Sequence, residues 1–87
     1  MFDPDLPYRR SPDVALRPEP FGALAYHFGT RRLSFLKSPE LVELVTALDA
    51  HPDVRTALAA SSGPRARHGV HLAALAGLAE AGTIEPR

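Results

Sequence analysis

The chain contains no cysteine, which excludes a disulfide staple, a thiolate metal site and a thiol nucleophile. No run of about 18 apolar residues occurs, so nothing reads as a membrane span. The opening residues, MFDPDLPYRRSPD, are polar and proline-rich with no apolar signal segment. A cytoplasmic protein is the expectation. Net charge is missing too: 10 Lys and Arg balance 10 Asp and Glu. A general nucleic-acid binder is expected to have a pI above about 9, so that class is disfavoured. GxGxxG and Walker sequences are absent, and no serine sits in a nucleophile elbow.

What is present fits one small domain. At 87 residues with 45% hydrophobic content, the chain buries about 60% of its unfolded surface and has a stability of about 4–10 kcal/mol. Residues 1–12 carry Pro4, Pro7 and Pro12 without any period. They read as a flexible tail, or as an arm lying on the domain with Tyr8 as its anchor. The domain proper is expected over 13–87.

Asp13 to Glu19 reads as a first strand, ended by Pro18 and Pro20. Gly22 to Phe28 alternates as a second, and Gly29-Thr30 suits a two-residue type II′ turn into a third. That turn predicts a register with Phe28 opposite Arg31, Tyr26 opposite Leu33 and Leu24 opposite Phe35. The face with Leu24, Tyr26, Leu33 and Phe35 is expected inside, and Ala23, Ala25, His27, Arg32 and Ser34 toward water.

Ser38-Pro39-Glu40 is a helix start, with Leu41, Leu44, Val45 and Leu48 as one apolar face. His51-Pro52-Asp53 interrupts it. A short helix from about Asp53 to Ala60 follows, closed by Ser61-Ser62-Gly63-Pro64, and a last helix spans roughly Arg67 to Ala81 with Gly82 as its C-terminal cap. The last helix has two stripes, Val70, Ala74, Leu78, Ala81 and His68, His71, Leu72, Leu75. Three strands followed by three helices predict an α+β domain with the helices on one sheet face.

Catalytic constellations are weak throughout. His68 and His71 are spaced to share a helix face, but no third ligand is evident, so a polar cleft wall is the better reading than a metal site. Glu40 and Glu43 are the one carboxylate pair, on a solvated turn. No enzyme, cofactor or metal is expected. The third strand, edged by Arg31, Arg32 and Lys37, is an edge strand with unpaired backbone groups. Those cations are either gatekeepers against aggregation or docking charges for an acidic peptide. A second basic cluster, Arg65, Arg67 and His68, opens the last helix. If that helix packs beside the edge strand, the two clusters share a groove floored by Leu33, Phe35, Leu72 and Leu75, the layout for strand addition.

The segment RPEPFGALAYHFGTRRLSFLKSPELVELVTAL, followed by HPDVRTAL and a last helix ending GTIEP, resembles the mycofactocin-biosynthesis peptide chaperones, the MftB family. These belong to the wider PqqD-like group of precursor-peptide recognition domains. The likeness covers nearly everything after the tail. It implies a winged helix-turn-helix fold with three antiparallel strands and three helices. It also implies a non-catalytic role without cofactor, binding the acidic leader of a ribosomally made precursor peptide. The precursor is then delivered to a radical S-adenosylmethionine maturase that modifies its C-terminal Val-Tyr end. In this group the leader adds to the third strand against the third helix. On this chain that points to Arg31, Arg32, Leu33, Ser34, Phe35, Leu36 and Lys37, and to His68, His71, Leu72 and Leu75. Two other roles remain: a structural subunit permanently bound to the maturase, and a DNA-binding winged helix. For the latter, Ala73, Ala74, Ala76, Gly77 and Ala79 offer no bidentate base-reading donors.

Overall fold

The computed structural model describes residues 1–61 and 64–87. The chain runs β1 (Tyr8–Arg10), β2 (Val14–Glu19), β3 (Gly22–His27), β4 (Leu33–Leu36), α1 (Pro39–Ala47), α2 (Val54–Ala60), α3 (His68–Glu80) and β5 (Ile84–Pro86). Short 3₁₀ turns at Leu48–Ala50 and Arg65–Arg67 follow α1 and lead into α3. β2, β3 and β4 form an antiparallel meander in that order, and the helices follow, so the fold is α+β as expected.

Residues 1–12 lie on the domain as an arm. β1 pairs antiparallel with β5, setting Arg9 opposite Glu85 in a 2.7 Å ion pair, and the Tyr8 side chain is buried. The Arg55 backbone N–H bonds the Pro4 carbonyl, and its side chain pairs with Asp5. The two chain ends are thereby joined. That pairing lay outside the sequence pattern because each strand is only three residues long.

The expected register of the meander is observed, with Tyr26 opposite Leu33 and Leu24 opposite Phe35. The turn that joins those strands is different. His27 N–H bonds Arg32 C=O, and Arg31 N–H bonds His27 C=O, so a four-residue loop 28–31 replaces the II′ turn. His27 explains the change: its Nδ1 accepts from the Gly29 and Thr30 N–H groups at 3.0 and 3.1 Å. Arg31, not Gly29, takes the left-handed conformation, at φ 61°. Both loops are symmetric about the same centre, which is why the register survives.

The sheet faces are the reverse of the expectation. Ala23, Ala25 and Leu36 are buried, whereas Leu33 and Phe35 are 59% and 56% exposed. Two physical causes combine. β2 contributes Val14 and Leu16 to the side of His27 and Ala25, so its apolar residues commit that face to the interior. α1 then brings Leu41, Leu44 and Val45, and the small Ala23 and Ala25 let these large side chains pack close against the strands. Each such burial contributes about 1.5–3 kcal/mol. Gly22, at φ 154°, permits a close backbone approach at the start of β3, since a Cβ there would overlap the Leu36 carbonyl oxygen.

The helix starts read from sequence are the observed ones. Ser38 Oγ accepts from Leu41 N–H at 3.1 Å with Pro39 as first helical residue, and Asp53 caps α2. Of the expected Ser61–Pro64 stop, Ser62 and Gly63 lie outside the described residues. α3 ends in a Schellman arrangement: Gly82, at φ 80°, donates to Ala79 C=O and Thr83 donates to Leu78 C=O. The chain then turns back as β5.

Candidate functional site: the β4–α3 groove

β4 is an edge of the three-stranded sheet, and its free side looks onto α3. Antiparallel ladders alternate, and the His27–Arg32 backbone bond fixes the phase. Ser34 and Leu36 therefore bond to β3, while the backbone N–H and C=O groups of Leu33 and Phe35 point outward. Four residues give an edge about 13 Å long.

Between this edge and α3 runs an open groove of about 490 Å³. The strand side supplies Arg32, Ser34, Phe35 and Lys37, and the start of α1 adds Ser38 and Leu41. From α3 and its two caps come Arg67, Val70, His71 and Ala74, then Gly77, Leu78 and Ala81. Those positions recur every three or four residues, so they form one helical face. Ala74, Gly77 and Ala81 keep that wall low. Of the two stripes read from sequence, the one with Val70, Ala74, Leu78 and Ala81 lies along the groove, and His71 joins it from the other.

Arg32, Ser34, Phe35, Lys37 and His71 are thus brought together. Leu36 and Leu75 are fully buried and do not line the groove. Leu33 is on the outer sheet face, Arg31 is in the β3–β4 loop, and His68 and Leu72 fall outside the groove lining. Of the expected floor of Leu33, Phe35, Leu72 and Leu75, only Phe35 lines the groove, beside Ser34, Leu41, His71 and Leu78. Sequence reasoning named the stripe with Ala74 and Ala81 but assigned the neighbouring one to the site, and it left Gly77 out of both.

The groove is cationic. Arg32, Lys37 and Arg67 are exposed, and among the described residues no acidic one lines it. The ion pairs among the described residues, Arg9–Glu85, Arg17–Glu19 and Arg55–Asp5, all lie elsewhere. His71 is 4% exposed, and among the described residues neither of its ring nitrogens has a hydrogen-bond partner. Among the described residues no three His, Asp or Glu side chains gather as a metal-binding group. Among the described residues no helix is long and apolar enough to cross a membrane.

A larger hollow of about 630 Å³ lies between the N-terminal arm and α3, lined by Met1, Phe2, Tyr8 and Ile84 among others. Its charged residues are Glu80 and Glu85, and Glu85 is paired to Arg9. It borders no free strand of the meander, so the β4–α3 groove is the better candidate.

Residues 7–85 match the model of the peptide chaperone MftB family. A protein named peptide chaperone MftB from Mycolicibacterium smegmatis is 49% identical over 98% of this chain and 83% of its own length. Proteins of the same name from Mycobacterium ulcerans and Mycobacterium tuberculosis are 49% and 46% identical over 99% of the chain and 79% of their own lengths. No solved structure matches the chain.

Proposed function

The chain belongs to the peptide chaperone MftB family, and from that premise we propose that it is a non-catalytic peptide chaperone of mycofactocin biosynthesis. It acts in the cytoplasm, binding the leader of a ribosomally made precursor peptide and delivering it to a radical S-adenosylmethionine maturase. The leader adds as a strand on β4, bonding the outward backbone groups of Leu33 and Phe35. Its side chains alternate between the α3 groove and the outer face. Arg32, Lys37 and Arg67 attract its acidic residues in a salt-sensitive way. Holding the leader raises the local concentration of the precursor's other end at the maturase.

The observation that carries this reading is the pairable β4 edge beside a groove that, among the described residues, is lined by three Arg and Lys side chains and no acid. Isothermal titration calorimetry with the whole precursor, and separately with its leader, tests it. Saturable binding of both with similar affinity is expected. No heat from either would remove the reading.

A second role, a subunit permanently bound to the maturase, is favoured by the outer sheet face. Leu33, Phe35 and Phe28 are more than half exposed there, and Phe21 packs on Phe35 with ring centroids 6.1 Å apart. Co-purification in a fixed ratio without precursor would support this role over a transient chaperone.

A further inference from the structure

His71 sits on the wall of the groove, 4% exposed, with both ring nitrogens unpartnered among the described residues. Buried polar side chains in folded proteins nearly always have partners, and an exception calls for an explanation. An imidazole always carries at least one N–H donor, and the ring here faces a groove rather than a sealed core. An apolar occupant would leave that donor unsatisfied. A neutral polar occupant would satisfy it but would make no use of Arg32, Lys37 and Arg67, which have no ion pair among the described residues. An acceptor-only anion answers both.

We infer that His71 is a specificity residue that reads one carboxylate, the side chain of an Asp or Glu in the bound peptide. The ring N–H donates to the carboxylate oxygen, and the three cations surround the negative charge. Val70, Leu41 and Leu78 on the same walls lower the local dielectric and strengthen that bond. The inference rests on the peptide-binding reading and adds to it: general attraction by surface arginines makes all acidic residues of a leader roughly equivalent, whereas His71 singles one out.

The test uses the full chain and a fluorescent synthetic leader, with a series in which each Asp or Glu is changed singly to Asn or Gln. Anisotropy titrations compare the parent protein with His71→Phe, which removes a buried unpartnered polar group and keeps an aromatic ring. One member of the series is expected to bind the parent protein about tenfold more weakly, the scale of a lost charge-assisted hydrogen bond. His71→Phe is expected to bind the unmodified leader about tenfold more weakly and to lose much less than the parent protein on that same replacement, keeping only the attraction of the three cations. The thermal midpoint of His71→Phe should not fall.

As a measurement free of any variant, the His71 ring ¹⁵N signals of the parent protein should move with the unmodified leader. They should not move with the neutralised one. Equal losses along the series in parent and His71→Phe, or ring signals that ignore the leader, would overturn the assignment while leaving peptide binding standing. A parent protein that binds no leader would overturn the peptide-binding reading, and this one with it.

Discussion

Phe35→Pro isolates strand addition from every other way a peptide could bind this surface. By the ladder phase, the Phe35 N–H points away from β3, so proline there removes no bond within the sheet. Extended backbone on an edge accommodates the ring. The side chain is 56% exposed. Full burial of phenylalanine contributes about 1.5–3 kcal/mol, so losing the covered part costs about 1 kcal/mol. Phe35→Ala loses the same, and both variants keep most of a total of about 4–10 kcal/mol. Ser34→Pro, one residue away, removes a ladder bond to β3 and distorts the pairing, at a cost of roughly 2–3 kcal/mol.

In leader binding, Phe35→Pro loses one inter-strand hydrogen bond relative to Phe35→Ala, and its ring holds the incoming strand off. A loss of about tenfold or more is expected. Urea unfolding followed by circular dichroism measures the first set of effects and calorimetry the second. A folded Phe35→Pro that binds the leader as tightly as Phe35→Ala would refute strand addition to β4.

Gly22→Ala forces φ 154° on a residue with a Cβ that overlaps the Leu36 carbonyl. A loss of about 3 kcal/mol is expected in urea unfolding, and a loss under about 0.5 kcal/mol would contradict the close approach. Arg31→Gly relieves the left-handed conformation at φ 61°, raising stability by about 0.5–1 kcal/mol in the same assay. An unchanged midpoint would mean that this loop has another form in solution. At Asp53, hydrogen bonds from Thr56, first from its backbone N–H and then from its side chain, hold the carboxyl below its ordinary value of 3.8. A depressed folded-state value makes the stabilisation full above 3.8 and lost as pH falls below it. Asp53→Asn, which keeps an oxygen acceptor for the cap, should therefore show a shallower acid loss of stability than the parent protein. Identical acid profiles would contradict the assignment.

Local chemistry was legible where one or two residues suffice. Ser38-Pro39 and Asp53 start helices because a side-chain acceptor and a fixed φ act within one turn. Gly82 ends α3 because few other residues take its φ of 80°. The register of β3 on β4 was legible because it depends only on the centre of the loop. The candidate site was legible in part: Arg32, Ser34, Phe35, Lys37 and His71 meet at the groove, while Leu33 and Leu72 do not line it. The β2–β3 link offered the missing signal. A two-residue turn at Pro20-Phe21 pairs Glu19 with Gly22 and puts Leu16 beside Ala25.

By itself, then, the sequence determined the order of the three meander strands and the three helices, the start of α1, the C-terminal cap of α3, and an edge strand flanked by cations. These depend on contacts within a few residues. Which face of the sheet is inside was decided only by tertiary structure, because both faces carry apolar residues and the choice turns on what packs against them. α1 supplies bulk and so selects the small face with Ala23 and Ala25. That choice leaves Leu33 and Phe35 outside, turns Ser34 toward Thr83 at 3.3 Å, and leaves a buried His71 facing an open groove. The pairing of β1 with β5 was likewise decided in three dimensions, since strands of three residues near opposite ends of the chain carry no signal until the core has brought them together.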